Sequence, residues 1–169
     1  MRNMGARDVA FAGVIAALYA ALTIFLAPFS YGVYQVRVAE ALTILPFIYP
    51  VSIIGLFIGC LVANIFGGNG IQDIVFGSLF TLAAGYLTYL TSKIRAREIG
   101  LALAPLPPVL INAFGVAAYL SQITGMTYFF VVWFIGVGQM AACYIIGLPL
   151  LIFLLKRKKA SQDSKLNCI

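Results

Sequence analysis

Long uncharged apolar runs follow one another along the chain with only short polar breaks between them. They extend from about Asp8 to Pro28, Val38 to Tyr49, Val51 to Phe66, Ile71 to Ser92, Ile99 to Ser121 and Met126 to Leu155. A bilayer core about 30 Å thick takes roughly 20 apolar residues per helix. The pattern therefore predicts an all-α integral membrane protein, a bundle of six transmembrane helices over residues 1–155 with a polar, basic tail at 156–169. The second and third runs are too short to cross alone, so they are expected to be enclosed by the others or to leave a cavity beside them. Pro46 and Pro50 mark a chain reversal between these two runs. The tail, KRKKASQDSKLNCI, is expected to be disordered.

Composition agrees with the pattern and narrows it. Of the 169 residues 63% are hydrophobic and 9% charged, with mean hydropathy +1.04, whereas a soluble domain carries about 25% charged residues. No space is left for a soluble catalytic or nucleotide-binding domain. The net charge of +6 comes from groups at Arg2/Arg7, Lys93/Arg95/Arg97 and Lys156 to Lys159, set between apolar runs. That is the arrangement of cytoplasmic anchors rather than of a nucleic-acid surface. It predicts a multi-pass protein of the cell membrane with both termini cytoplasmic and segments 29–36, 67–70 and 122–127 outside. The first run is longer than a secretory signal core and reads as a retained helix. Cys60, Cys143 and Cys168 are scattered and read as packing residues. No repeat relates the two halves, which argues against an inverted-repeat transporter.

The chain has no histidine, which removes His-dependent catalysis and the usual zinc-protease motifs. It also has no GxxxxGK[ST] loop, so any energy from ATP must come from a partner. The reading is of a membrane protein that captures a small polar ligand, with no cofactor and no metal, rather than of an enzyme.

Polar groups inside membrane helices are costly and need a reason. Arg37, Glu40, Asn64, Asn69, Gln72, Asp73, Asn112 and Gln122 fall in the outer half of the predicted spans, and Gln139 nearer the middle. Ionisable groups gathered at one depth from several helices form a pocket open to the outside. Two local readings compete with ligand contact: Arg37 and Glu40 can pair across i,i+3, and Asp73, after GGNG, can cap a helix. Among the flanking aromatics Tyr31, Tyr34, Phe76, Tyr128, Phe129 and Trp133, most suit interfacial anchoring, while one or two can stack on a flat ligand. Ala12, Ala16 and Ala20 recur at spacing four, with Gly13, Ala17 and Ala21 on the next stripe. Small residues so spaced permit close helix approach, either to a partner subunit or within the bundle, and the same holds for Gly55, Gly59 and Ala63.

YGVYQVRVAEALTILPF at 31–47 and GLFIGCLVANIFGGNGIQDIVFGSLFTL at 55–82 closely resemble the queuosine-precursor transporter (QueT) family, the substrate-binding S components of energy-coupling-factor (ECF) transporters. The specific pieces are RVAEALT with Arg37 and Glu40, CLVAN with Asn64, and DIVFGSL with Asp73. The resemblance implies an S-component-like six-helix bundle that binds a 7-deazaguanine: the 7-cyano or 7-aminomethyl compound, or queuine. It also implies docking on a membrane coupling subunit driven by two ATPases, with toppling in the membrane to release substrate inward. Its motifs carry Glu40, Asp73, Arg37 and Asn64 as substrate residues, to which the reading of polar and aromatic positions adds Gln72, Tyr34, Asn112, Gln139 and Trp133, and the stripe Ala12, Ala16 and Ala20 resembles the family type's docking surface. A deazaguanine offers a ring N–H and an exocyclic amine side by side, which a carboxylate accepts as a bidentate pair. Another vitamin-like substrate is the nearest alternative, a stand-alone carrier or channel the next, and a membrane enzyme a distant third.

Overall fold

A computed structural model of the chain describes residues 4–31 and 36–166. Among these residues the fold is wholly helical: α1 Ala6–Phe25, α2 Ala27–Ser30, α3 Val38–Phe47, α4 Ser52–Gly67, α5 Asp73–Thr91, α6 Arg97–Thr124 and α7 Tyr128–Ser161. Four of them, α1, α5, α6 and α7, are long and apolar enough to cross a membrane, and α3 and α4 are shorter apolar helices. The six predicted runs thus appear as four membrane-length helices and two short ones, with the single turn of α2 added.

Of the two short helices α3 occupies the interior, whereas α4 packs one face inward and leaves Ile54, Ile58, Ile65 and Phe66 exposed on the other. At about 1.5 Å per residue the 16 residues of α4 reach about 24 Å, less than the bilayer core of about 30 Å. The ten residues of α3 form a 3-10 helix, which at about 2.0 Å per residue reaches about 20 Å and is far longer than the usual 3-10 run. Two local features favour it. Pro46 has no N–H to contribute to an α-ladder, and the Thr43 hydroxyl donates to the carbonyl three residues back, Glu40 O, at 2.6 Å. Residues Ala39 to Pro46 are all buried, as befits a helix apolar on every side. Pro46 therefore lies inside α3 rather than at the reversal, which is made by residues 48–51 around Pro50.

α1 and α4 pack very closely. A Cβ on Gly55 would lie 2.5 Å from the Ala12 carbonyl oxygen, and one on Gly59 would lie 2.7 Å from that of Ala16. The stripe Ala12, Ala16, Ala20 read as a docking surface is thus covered by the chain's own helix, and Ala12 and Ala20 are buried. The physical reason is that Gly55 and Gly59 complement it at matching spacing. Gly13, Ala17 and Ala21 stay exposed on the neighbouring stripe of α1, as do Ala6 and Ala10 in its first turns.

The basic clusters meet at one end of the bundle. Tyr49 contacts Phe11 of α1 and sits under Lys158 of α7, while Arg97, Lys156 and Lys159 surround one recess. Both ends of the described chain therefore lie on the same side of the bundle. The basic tail is not irregular where it is described: α7 continues through it to Leu166.

Candidate functional site

Toward the opposite end, five helices bring polar groups into the bundle interior. In a 3-10 helix residues three apart eclipse, so Glu40 and Thr43 share one line on α3, with Arg37 at its N-cap. Asp73 opens a π-helical segment, Asp73–Gly77, at the start of α5. Asn112 opens a second, Asn112–Val116, within α6, and Gln139 stands two residues before a third, Ala141–Gly147, within α7. Asn64 lies near the end of α4. Single π turns recur at functional sites because the extra residue re-aims the side chains beside it, and here every such turn adjoins the polar group.

Asp73, fully buried, is held on all sides. Its Oδ1 accepts from the Tyr119 hydroxyl at 2.5 Å and its Oδ2 from Asn69 Nδ2 at 2.9 Å. Arg37 Nη2 lies 4.0 Å from Oδ2. Asn64 Nδ2 donates to the Asp73 backbone carbonyl at 2.8 Å. Arg37 thus pairs with Asp73, across helices, and not with Glu40 along its own. The helix already turns from Ile71, and the Asp73 oxygens serve side chains rather than capping the first amides.

Glu40 is 1% exposed. Its Oε1 accepts from the Tyr19 hydroxyl of α1 at 2.5 Å, and Asn112 approaches its carboxylate without closing a hydrogen bond. Cys60 and Cys143 are buried beside these groups. Cys60 Sγ accepts from Thr81 at 3.2 Å and from Arg37 Nη1 at 3.9 Å. Cys143 Sγ donates to the Glu40 carbonyl at 3.5 Å and lies 3.8 Å from Gln139 Oε1.

Several buried polar atoms make no hydrogen bond: Arg37 Nε and Nη2, the latter only facing Asp73 at 4.0 Å, Asn112 Nδ2, Glu40 Oε2, Asn64 Oδ1 and Ser30 Oγ. Natural interiors pair nearly all such atoms, so each exception calls for an explanation. All but Ser30 belong to residues singled out in the sequence. Three are donors and two are acceptors.

The structure therefore brings together Arg37, Glu40, Asn64, Asp73 and Asn112, with Gln139 joined through Cys143. It does not bring in Gln72, which is exposed beside Phe76 and Gln122, or Trp133, which is 70% exposed on the outer face of α7. Tyr34 lies outside the described residues. Sequence reasoning passed over Tyr19 and Tyr119. Their signal was a buried hydroxyl requirement inside an apolar run, since a Tyr in a core needs an acceptor. Among the described residues no three of His, Cys, Asp or Glu gather as a metal site. Two recesses, of about 590 and 680 Å³, open at the basic end and are not lined by this cluster. Their size reflects open interface, whereas the unpaired buried atoms mark the interior site.

Neither a curated protein nor a solved structure matches the chain. The family described as QueT transporter matches residues 9–156, from the first helix to the last basic cluster. The matched region contains the whole polar cluster, all of α5 and α6 and most of α1 and α7, and the chain belongs to the QueT transporter family as a membrane transport protein.

Proposed function

We propose that the protein is the substrate-capture subunit of an ATP-driven ECF-type importer and binds a 7-deazaguanine queuosine precursor from outside the cell. The observation that carries the reading is the set of unpaired buried donors and acceptors on Arg37, Asn112, Glu40 and Asn64. A guanine-like edge presents the complement: an N–H and an amine side by side, next to a carbonyl. Glu40, with Oε2 free and a second lone pair on Oε1, takes the two N–H groups. Asn112 and Arg37 serve the carbonyl and ring nitrogens. Asp73 is saturated by its own neighbours, so its part is to hold Arg37 in place.

The absence of any ATP-binding loop fits a subunit that relies on a coupling partner and two ATPases. With Ala12, Ala16 and Ala20 committed to α4, the exposed stripe Gly13, Ala17 and Ala21 is the one open to that partner.

The test is a titration of the purified subunit with 7-aminomethyl-7-deazaguanine, 7-cyano-7-deazaguanine and queuine, beside vitamins of other shapes such as biotin. Saturable binding confined to the deazaguanines is expected. Binding of a vitamin and of no deazaguanine would move the protein to another substrate class.

A further inference from the structure

The basic end of the bundle holds two adjoining recesses that the interior site does not use. One, of about 590 Å³, is walled by Phe11, Ile48, Pro50 and Val51, and the other, of about 680 Å³, by Leu154, Arg157, Lys158 and Ser161. Tyr49 lines both. Its ring centroid lies 5.2 Å from that of Phe11 and 5.4 Å from Lys158 Nζ, so it joins an apolar slot to a cationic one.

Among the described residues no carboxylate lies within 4.0 Å of the cations there. Arg157 rests over Phe153 at 5.6 Å and Lys158 over Tyr49, and among the described residues the ion pair within 4.0 Å is that of Arg37 with Asp73. Asp8 also lines the first recess, but its carboxylate accepts the Gly5 N–H at 3.1 Å at the start of α1. The depth is that of a membrane interface. From Tyr128 to Ser161 α7 has 34 residues, about 50 Å at 1.5 Å each against a core of about 30 Å. Its apolar part ends at Leu155, and the cations follow at once.

We infer that the cleft around Tyr49 binds one anionic phospholipid. An acyl chain lies against Phe11, Ile48 and Val51, and the phosphate sits between Arg157 and Lys158 within reach of the Ser161 hydroxyl. Basic recesses between membrane helices suit such headgroups. A free phosphate would use the cations and leave the apolar wall empty, whereas a lipid uses both.

The experiment takes the delipidated full-length protein in neutral detergent and follows its melting temperature during titration with phosphatidylglycerol, phosphatidylcholine and inorganic phosphate. Saturable stabilisation by phosphatidylglycerol alone is expected. In the double variant Arg157→Gln/Lys158→Gln the midpoint should rise roughly thirtyfold, the effect of removing two interfacial cations. Lys93→Gln/Arg95→Gln, of equal charge change at another basic cluster, should leave it unchanged. Tyr49→Leu, which keeps the apolar wall and removes the ring under Lys158, should weaken it in the same direction. Equal losses in both double variants would mean diffuse attraction and overturn the site. Stabilisation by inorganic phosphate to the same extent would make it a free-anion site, and no response to phosphatidylglycerol would leave the cleft to a protein partner. Either result overturns the proposal.

Discussion

Glu40 and Asp73 are two carboxylates near the same end of one bundle, and their neighbours give them different work. Asp73 accepts from Tyr119 and Asn69 and faces Arg37, while Glu40 keeps an oxygen unpaired in the interior. Breaking one side of a buried ion pair costs about 3–5 kcal/mol. Asp73→Asn is therefore expected to lower the melting temperature substantially in a thermal scan, and an unchanged melting curve would show that the pair carries no structural load. Gly77 offers a second probe, because a Cβ there would lie 2.8 Å from both Asn64 Nδ2 and Asp73 Oδ1. Gly77→Ala should weaken ligand binding by pushing Asn64 and Asp73 off their positions. Which polar residues the fold gathers was partly legible in the sequence, since Arg37, Glu40, Asn64, Asp73 and Asn112 are polar groups in apolar runs, while Gln72 and Trp133 stay outside the cluster. Their pairing was not legible. Local i,i+3 spacing suggests Arg37 with Glu40, but Arg37 sits at an extended N-cap, φ −85° and ψ 92°, where helix-surface geometry does not hold.

At the scale of the helices, the runs of apolar residues located every membrane-length element, while the irregular turns stayed hidden. A π turn or a long 3-10 helix leaves no hydrophobic period of its own. It arises where packing on several sides overrides the α-ladder, as at α3, buried from Ala39 to Pro46. The small-residue stripes were visible but not their partners, because Gly55 and Gly59 serve a docking surface and an internal contact equally well by spacing. The structure separates the two faces of α1. Gly59→Ala would force a Cβ against the Ala16 backbone, and overpacking of this kind costs about 1–3 kcal/mol. Its melting temperature should fall. Ala17→Trp, on the exposed stripe, should leave the melting temperature and ligand binding of the isolated subunit near normal and reduce uptake by the assembled importer. A parallel loss of binding and uptake would place the Ala17 face inside the fold.

For the molecule as a whole, charge patterning gave the arrangement of the ends, because few Lys and Arg residues occur and all but Arg37 and Lys165 gather in three clusters. Contacts of Tyr49 with Phe11 and Lys158, and the recess shared by Arg97 and Lys156, bring those clusters to one end. Placing that end in the cytoplasm follows from the bias of Lys and Arg toward the inner face. In a Cys168→Ser background, a cysteine at Ser161 should react with an impermeant maleimide only after permeabilisation, and one at Thr127 should react in intact cells. The reverse pattern would invert the protein and with it the direction of capture. What the sequence left open is how two short helices live in a bilayer. α3 does so by lying within the bundle, and α4 by packing one face closely on α1 while its other face stays apolar and exposed.

The most direct test of the interior site compares Glu40→Gln and Asp73→Asn by calorimetric titration with 7-aminomethyl- and 7-cyano-7-deazaguanine, each beside its melting curve. A charge-assisted hydrogen bond at a buried site contributes about 1.5–3 kcal/mol, or roughly ten- to more than a hundredfold in affinity. Glu40→Gln should lose that much for both ligands alike, since its partner is the shared guanine edge, with little change in melting temperature. Asp73→Asn should show its main effect as lost stability. Wild-type affinity in Glu40→Gln for both compounds would contradict the account.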